Sequence, residues 1–148
     1  MLFLLFQLGA DRYALEAATV AEIVPLIDIK RIPLAPAGVA GIFNYRGVPV
    51  PAIDLCELTQ GRPAAQSRST RIVLVHYPDG RGSTRLLGLV AEKATETMRR
   101  DPAEFAPAGI SSETEPYLGP VVSDGRGLVQ WVDATKLLPA GVRDVLVN

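Results

Sequence analysis

Glycine and proline divide this sequence into short segments, and that spacing limits what the chain can fold into. The 13 glycines and 12 prolines make up about 17% of the 148 residues, compared with roughly 12% in average proteins. The segments between them are rich in β-branched and aromatic residues, and few are long enough for a helix of several turns. Short strands, closely spaced turns and only brief helices are typical of an all-β sandwich or of small barrels.

Three pairs of apolar segments flank turn sequences and are predicted to form β-hairpins. The first pair surrounds Gly9–Arg12, the second surrounds Pro78–Ser83, and the third surrounds Ser123–Gly127. The segments Ile72–Val75 and Leu86–Val90, on either side of the second turn, are apolar throughout and do not alternate. Such strands are buried on both faces, as they would be where two barrels share a wall.

The segment Val48–Ile53 is extended and apolar, but it contains two prolines that cannot donate to a β-ladder. We therefore expect an edge strand or a strand beside a bulge. Asp54 follows this segment and can cap a short helix through Leu58. Before it, Ala37–Ile42 is predicted to form a single helical turn that ends at Gly41.

Two further segments are predicted to lack regular structure over most of their length. The polar stretch Thr59–Thr70 is the candidate mobile loop of the chain. Glu92–Ser112 mixes threonine, arginine, proline and glutamate, and we expect a strand end followed by irregular backbone. Near the end of the chain, Thr135–Leu138 is predicted to form a short helix that stops at Pro139 and Gly141.

The composition excludes several kinds of protein. A net charge of -1 argues against a nucleic-acid binder that relies on a broad basic surface. With one cysteine and one histidine, the chain has no internal disulfide, no multi-cysteine zinc site and no His-pair metal site, and we expect no cofactor. The apolar start, Met1–Phe6, has no basic flank and is far too short to span a membrane. We predict a buried first strand in a cytoplasmic protein, where free Cys56 fits a reducing compartment.

Candidate catalytic residues are few. Ser–His–Asp chemistry needs His76 as its base, yet this histidine lies in the apolar run Val73–Tyr77 and is typical of a strand residue. Cysteine chemistry needs Cys56, which is expected to be a small buried thiol in the short helix. We therefore expect no enzyme activity, and a small all-β hydrolase using Cys56 or His76 stays as an alternative. The hydrophobic fraction of 48% agrees instead with a binding module whose apolar surface is covered by partners.

The most distinctive stretch is Val39–Leu55, in which two turn-forming residues hold an arginine. Asn44 and Gly47 both tolerate the left-handed backbone of tight turns, and Arg46 lies between them. A rigidly placed guanidinium offers five donors and a flat apolar face, which suits recognition. The alternative is an arginine that bonds the carbonyls of its own loop, and the residues alone leave both interpretations open.

These residues, with others along nearly the whole chain, resemble the CheW-like family of small adaptors that couple chemoreceptors to a histidine kinase. The specific part of the resemblance is the block Gly41-x-x-Asn44-x-Arg46-Gly47-x-x-x-Pro51-x-x-Asp54-Leu55. The weaker matches are Phe6-x-Leu8-Gly9, Val20-x-Glu22-Ile23, Leu87-Gly88-Leu89-Val90 and Trp131-Val132-Asp133.

The resemblance implies two intertwined SH3-like five-stranded β-barrels with a few short helices, forming a single domain over residues 1–148. It implies no catalysis, no nucleic-acid partner and no insertion into a membrane. It also implies recruitment to receptor arrays through two partners, the regulatory domain of a histidine kinase and the helical hairpin tip of a methyl-accepting chemoreceptor. The motif match assigns the receptor side to Val20, Glu22, Gly41, Asn44 and Arg46, and the kinase side to Gly88 and Gly119.

Two departures from the family pattern bear on the choice of partner. The family often has a Val-Asp pair after the central glycine strand, whereas here Val90 is followed by Ala91 and Glu92. In a regular strand this one-residue displacement moves the acidic group to the opposite face. Tyr45 replaces the commoner aliphatic residue of the block. An alternative function is therefore a CheW-like regulatory module of a surface-sensing or pilus pathway that competes for the kinase.

Overall fold

The computed structural model describes residues 1–79, 81–110 and 117–138, and consists mainly of β-strands. The helix α1 covers Leu55–Gln60, and three-residue 3-10 turns occur at Ala17–Thr19, Pro102–Glu104 and Ala134–Lys136. The strands in the described residues are β1 (Leu2–Leu8), β2 (Asp11–Glu16), β3 (Val20–Pro25), β4 (Val39–Tyr45), β5 (Val48–Asp54), β6 (Arg71–Pro78), β7 (Thr84–Arg99), β8 (Leu118–Ser123) and β9 (Leu128–Val132). The predicted all-β class with only brief helices is confirmed.

The three predicted hairpins are present as β1–β2, β6–β7 and β8–β9. Gly80, in the turn of the second hairpin, lies outside the described residues. The predicted terminal helix appears as the 3-10 turn Ala134–Lys136, and the residues expected to stop it, Pro139 and Gly141, also lie outside them. Local turn chemistry was therefore sufficient to locate these elements.

The strand β7 belongs to two five-stranded sheets, and this sharing organises the whole fold. Sheet I has the order β3-β6-β7-β5-β4, and sheet II has the order β7-β1-β2-β9-β8. The first half of β7, Thr84–Ala91, pairs with β6, and its second half, Glu92–Arg99, pairs with β1. The prediction that Glu92–Ser112 is a strand end followed by irregular backbone agrees with the described residues, in which β7 ends at Arg99 and only a 3-10 turn and an isolated bridge follow within the segment. Pairing with β1 keeps the polar part of this segment extended as far as Arg99.

A single β-bridge joins the two ends of each sheet. The segment after β3 reaches β4, where the N–H of Lys30 donates to the carbonyl of Ile42 at 2.8 Å and the N–H of Ile42 donates back at 2.9 Å. The segment after β7 reaches β8 in the same way, through Ala106 and Val121, at 2.8 and 2.9 Å. Each sheet therefore curls until its ends meet, which produces two barrel-like halves built on one shared strand.

The first strand, β1, is buried on both faces and separates two apolar cores. Phe3 and Leu5 face a small core beside Phe105 and Trp131, whereas the alternate residues of β1 face the larger core that includes most of sheet I. The ring of Trp131 lies 4.9 Å from that of Phe3 and 5.0 Å from that of Phe105, in the edge-to-face geometry that aromatic pairs favour. The predicted buried first strand is confirmed.

The two central strands of sheet I are buried on both faces, as their unbroken apolar runs predict. Residues Ile72–Val75 are at most 1% exposed, and β7 is equally buried around Gly88. A Cβ atom added to Gly88 would lie 2.5 Å from Cε1 of Phe43 and 2.9 Å from Cγ2 of Ile72. Both distances are far below van der Waals contact, so the ring of Phe43 can pack against β7 only because residue 88 is glycine.

The segment before the prolines folds differently from its prediction. Ala37–Ile42 was expected to form a helical turn, but from Val39 onward it is strand β4, paired with β5. The pairing of β4 with β5 is irregular between Val39 and Gly41. Gly41 allows the strand to continue through this irregularity because glycine readily adopts its φ of +143°. The strand β5 lies between β4 and β7 and is therefore not an edge strand, although Val48–Pro51, which includes both prolines, pairs with β4 alone and β7 is added only from Ala52. The other form of the prediction, a strand beside a bulge, agrees with the irregular pairing opposite Val39 and Gly41.

Asp54 and a carboxylate from β7 hold the stretch after β5 at its beginning and near its centre. Oδ1 of Asp54 accepts hydrogen bonds from the N–H groups of Cys56 and Glu57 at 2.9 and 3.2 Å, which caps α1 as predicted. Its other oxygen accepts from the N–H of Ala64 at 2.9 Å. The predicted mobile loop Thr59–Thr70 is therefore tied to the helix cap near its centre, and its mobility stays a prediction.

Glu92 supplies the second anchor of this loop. Its carboxylate receives the guanidinium of Arg62 at 3.1 and 3.2 Å, the N–H of Ala65 at 2.7 Å and the N–H of Gly9 at 3.4 Å. The hydrogen bond from Arg62 is the main reason that the pKa of Glu92 falls from 4.5 to about 2. Glu92, the acidic residue displaced by one position from the family pattern, thus connects three segments of the chain: β7, the turn after β1 and the Thr59–Thr70 loop.

Gly88→Ala should destabilise the protein by about 1–3 kcal/mol in urea unfolding, since the added methyl group overpacks the site below Phe43. The double variant Gly88→Ala with Phe43→Leu removes the ring that the methyl group would meet. We expect its loss of stability to be smaller than the sum of the two single losses by more than about 0.5 kcal/mol. Strictly additive losses would show that the ring of Phe43 does not impose glycine here.

Glu92→Gln should lower the free energy of unfolding by about 2 kcal/mol at neutral pH, because the ionised carboxylate holds Arg62 and two backbone N–H groups. Its pKa is lower in the folded chain than in the unfolded chain. Its contribution is therefore complete above the unfolded pKa and is lost as the pH falls from about 4.5 towards 2. Urea unfolding at pH 7 and pH 3 should show a wide gap between parent and variant that narrows in acid. Asp28→Asn, at an exposed position, is the matched control and should show no such gap.

Candidate partner-binding site

The distinctive arginine lies in a tight two-residue turn between β4 and β5. Tyr45 pairs with Val48 across the hairpin, and the two residues between them, Arg46 and Gly47, have φ values of +51° and +85°. Positive φ at both central positions is the signature of a type I′ turn, which matches the twist of a two-stranded hairpin. Oδ1 of Asn44 accepts a hydrogen bond from the N–H of Gly47 at 2.7 Å and fixes the turn. The sequence prediction that Asn44 and Gly47 hold Arg46 is therefore accurate in its geometry.

The strands β3 and β4 are the two ends of sheet I, and we call the line along which these ends approach each other the seam. Three side chains from both sides of the seam meet at this turn. Oε1 of Glu22, on β3, accepts from Nη2 of Arg46 at 2.9 Å. The other carboxylate oxygen of Glu22 accepts a hydrogen bond from the hydroxyl of Tyr45, and this bond raises the pKa of Tyr45. The guanidinium of Arg46 also lies 5.0 Å from the centre of the Tyr45 ring, within range of a cation–π contact. Glu22, Tyr45 and Arg46 thus form a second link across the seam, in addition to the Lys30–Ile42 bridge.

The side chain of Arg46 is fixed and yet accessible. Its exposed fraction is 73%, whereas that of its partner Glu22 is 34%. The sequence left open whether Arg46 recognises a partner or bonds its own loop. In the structure it binds its own fold through the carboxylate of Glu22 on a different strand, while most of its surface faces solvent. A group held in this way loses little conformational entropy when a partner binds.

Exposed apolar side chains lie on the same strands as this polar cluster and directly after its turn. Ile23 on β3 and Ile42 on β4 are each 37% exposed, and Val48, directly after the turn, is 54% exposed. By strand alternation Ile23 and Ile42 point to the opposite side of their strands from Glu22 and Tyr45. We call this region of β3, β4 and the turn after β4 the seam face, and it consists of Val20, Glu22, Ile23, Ile42, Asn44, Tyr45, Arg46 and Val48. A polar centre with exposed aliphatic neighbours is the composition of a protein-binding surface, not of an ordinary solvated face.

The structure brings four of the five residues assigned to the receptor side onto the seam face, and it buries the fifth. Val20 is half-buried on β3 and packs against the larger core, whereas Glu22, Asn44 and Arg46 reach the surface. Gly41 is buried, and a Cβ atom added there would lie 2.0 Å from the carbonyl oxygen of Lys30. Gly41 therefore shapes the seam by admitting the Lys30–Ile42 bridge, and it offers no surface of its own.

The two glycines assigned to the kinase side are not brought together. Gly88 lies in sheet I beneath the ring of Phe43, so a substitution there reaches any surface only through the core. Gly119 lies on β8 of sheet II, half-exposed, and an added Cβ atom would lie 2.9 Å from the carbonyl oxygen of Trp131. Both positions require glycine because a neighbouring group packs directly against the backbone. At Gly88 this group is the ring of Phe43, and at Gly119 it is the carbonyl group of Trp131.

The two residues considered for catalysis lie in unlike environments. Cys56 is fully buried in α1, and burial, followed by its hydrogen bond to Glu92, raises the pKa of its thiol to about 12. It is therefore a protonated thiol at neutral pH, with almost none of the thiolate that nucleophilic attack requires. His76 is exposed on β6, opposite Leu86.

Sequence reasoning missed two features of the site. Tyr45 was treated only as a departure from the block, although its hydroxyl completes the cluster with Glu22. The exposed side of β3 was also missed, since its residues alternate between half-buried and exposed. The sequence of Val20–Pro25 does not indicate this alternation, because a glutamate occupies a half-buried position and an isoleucine occupies an exposed one.

Comparisons with known proteins agree along nearly the whole chain. A model of the CheW-like domain matches residues 2–141. The chemotaxis protein CheW of Treponema pallidum is 28% identical over 149 residues, which cover 97% of this chain and 85% of that protein. The chemotaxis protein CheW of Klebsiella aerogenes is 27% identical over 139 residues, covering 92% of this chain and 80% of that protein.

The crystal structure of the scaffolding protein TtCheW from Thermoanaerobacter tengcongensis has the same fold. It superimposes with a TM-score of 0.84 at 23% identity and covers 99% of this chain and 93% of that one. In the described part of the chain, no helix is long and apolar enough to cross a membrane. The shared strand, the block at the β4–β5 turn and the match over residues 2–141 lead to one conclusion: the chain belongs to the CheW-like domain family.

Proposed function

We propose that this chain is a non-catalytic adaptor that couples a chemoreceptor to a histidine kinase in a chemosensory complex. The observation that carries the proposal is the seam face, where Arg46 is held by its turn and by Glu22 but remains 73% exposed. Membership of the CheW-like family supports it, because two relatives are chemotaxis proteins. In this proposal residues 1–148 act as one domain of two barrel subdomains, located in the cytoplasm and brought to receptor arrays by its partners.

The receptor is the partner that we assign to the seam face. The tip of a receptor is an antiparallel helical hairpin, and such a helix presents apolar residues beside polar ones. Ile23, Ile42 and Val48 offer apolar contacts, and the guanidinium of Arg46 offers hydrogen-bond donors to carboxylates or to carbonyls at the end of a helix. The turn and the ion pair fix Arg46 before binding. Little conformational entropy is therefore lost when the receptor binds, and little of the contribution of Arg46 to affinity is offset.

The kinase is assigned to a different surface, so that both partners can be bound at once. Gly119 and its half-exposed neighbours on β8 lie in sheet II, whereas the seam face belongs to sheet I. A regulatory domain of the same fold could dock there barrel against barrel. Gly88 then contributes only through the packing below Phe43. We include no cysteine-based hydrolysis in this proposal, because Cys56 is buried and its thiol is protonated at neutral pH.

Arg46→Ala should weaken association with a soluble receptor hairpin by more than tenfold, about 1.4 kcal/mol, because it removes both the donors and the partner of Glu22. Calorimetric titration of the hairpin into the purified chain measures this change. Arg46→Asn is the safer variant for the fold, since asparagine tolerates the positive φ at this position. Arg68→Ala, an exposed arginine of the Thr59–Thr70 loop, is the matched control and should bind as the parent does.

Circular dichroism and thermal unfolding should be close to those of the parent for each variant. If Arg46→Asn is folded and binds the hairpin with unchanged affinity, the receptor site is not on the seam face. If the parent binds the kinase regulatory domain but not the hairpin, the chain is instead the regulatory module that competes for the kinase. Retention of kinase binding by Arg46→Ala, with loss of receptor binding, is the result expected for two separate surfaces.

A further inference from the structure

A cleft of about 290 Å³ opens on sheet II, away from the seam face. Its walls come from β1, β2 and the second half of β7, and its rim comes from the turn between β8 and β9 and from the end of the Thr59–Thr70 loop. Gln7, Arg12, Ser69, Lys93, Glu96 and Arg126 are among the residues that line it. None of the residues assigned to a receptor or a kinase lies in this cleft.

A bulge between β1 and β7 forms the floor of the cleft. Leu5 pairs with Glu96, but Gln7 pairs with Glu92, so three residues of β7 face a single residue of β1. Lys93 begins the bulge with a φ of +49°, a left-handed conformation that lysine rarely adopts. Bulges re-aim side chains and are frequent beside functional sites, where strained backbone is also concentrated.

The charged side chains that line the cleft are mostly cationic. Arg12, Lys93 and Arg126 line it together with the carboxylate of Glu96, and Asp124 binds Arg12 without lining the cleft itself. This is a local excess, because the chain as a whole has a net charge of -1. Like charges placed together in a concave site repel one another and raise the local positive potential, and an anion bound there relieves both effects.

Two of these cations already have partners, and the third does not. Arg12 donates two hydrogen bonds to Asp124, at 2.7 and 2.6 Å, and Arg126 donates one to Glu96 at 3.0 Å. In residues 1–79, 81–110 and 117–138, Lys93 makes no ion pair. The strained position therefore presents the unpaired ammonium group of the cleft, and the guanidinium of Arg126, which lines the same cleft, is 60% exposed.

We propose that this cleft binds a small phosphorylated metabolite, with its phosphate monoester on Lys93 and Arg126. Asp124 balances the charge of Arg12, and Glu96 shares the guanidinium of Arg126. The uncompensated charge is therefore that of Lys93, and charge-assisted hydrogen bonds from Lys93 and Arg126 suit the oxygens of a phosphate group. The cleft is larger than a phosphate group, and the neutral donors and acceptors of Gln7, Ser69 and Thr95 suit the hydroxyl groups of an organic body. The inference does not depend on the adaptor function, because the two sites share no residue.

Calorimetric titration with ribose 5-phosphate, inorganic phosphate and ribose, at constant ionic strength, tests the proposal on the intact chain. We expect saturable binding of ribose 5-phosphate, weaker binding of inorganic phosphate and no binding of ribose. Saturable binding of neither phosphate compound in the millimolar range overturns the proposal. Equal affinity for ribose 5-phosphate and inorganic phosphate also overturns it, since the organic body would then contribute nothing.

Variants of Lys93 locate the site. Lys93→Asn removes the charge but keeps a residue that tolerates positive φ, and it should weaken binding of ribose 5-phosphate by at least about tenfold, the loss of a charge-assisted hydrogen bond. Arg99→Gln removes a positive charge from the same strand outside the cleft and should change affinity by less than about twofold. If the two variants lose affinity for ribose 5-phosphate equally, the effect reflects the overall charge of the protein and the proposed site is overturned. Thermal unfolding and binding to the receptor hairpin should be unchanged in both, which separates this test from that of the adaptor function.

Discussion

The structure depends on one strand that takes part in two sheets. The first half of β7 is buried between β5 and β6, and its second half pairs with β1. A strand in this position must be apolar on both faces, which explains the unbroken apolar run before Ala91. It must also turn from one sheet into the other, and the bulge at Lys93 is where it does so. Gly88 belongs to the same constraint, because the ring of Phe43 packs directly on the strand.

Both candidate sites follow from the way the sheets curl around this strand. No β-ladder joins β3 to β4 in the described residues: the ends of sheet I are linked by the isolated Lys30–Ile42 bridge and by the cluster of Glu22, Tyr45 and Arg46. Exposed strand ends with few ladder bonds are available to partners, and the proposed receptor surface lies there. The cationic cleft lies at the bulge, where the missing ladder bonds leave room for a ligand. The two proposed sites thus lie on different sheets and share no residue.

Elements with strong local signals were predicted correctly, and elements that depend on distant residues were not. The three hairpins and the Asp54 cap follow from turn and capping residues that act within a few positions. The strand β4 was predicted as a helical turn, because nothing near Gly41 indicates that the backbone of Lys30 will approach it. For the polar end of β7 the sequence indicated a strand end but not its length, since the strand conformation as far as Arg99 depends on pairing with β1. For the site, Asn44, Arg46 and Gly47 were predicted from turn chemistry, but the partners of Arg46 were not.

The amino-acid sequence by itself determined the all-β class, the turns and the block that places Arg46 in a tight hairpin, because each of these rests on the conformational preferences of neighbouring residues. Tertiary structure decided which strands meet, and therefore which side chains share a surface. Glu22 reaches Tyr45 and Arg46 only because sheet I curls until its two ends approach each other. Glu92 holds the loop through Arg62, and Lys93 and Arg126 line one cleft, only because β7 crosses between the sheets. Contacts between residues far apart in sequence depend on chain closure and packing, which no local pattern of residues records.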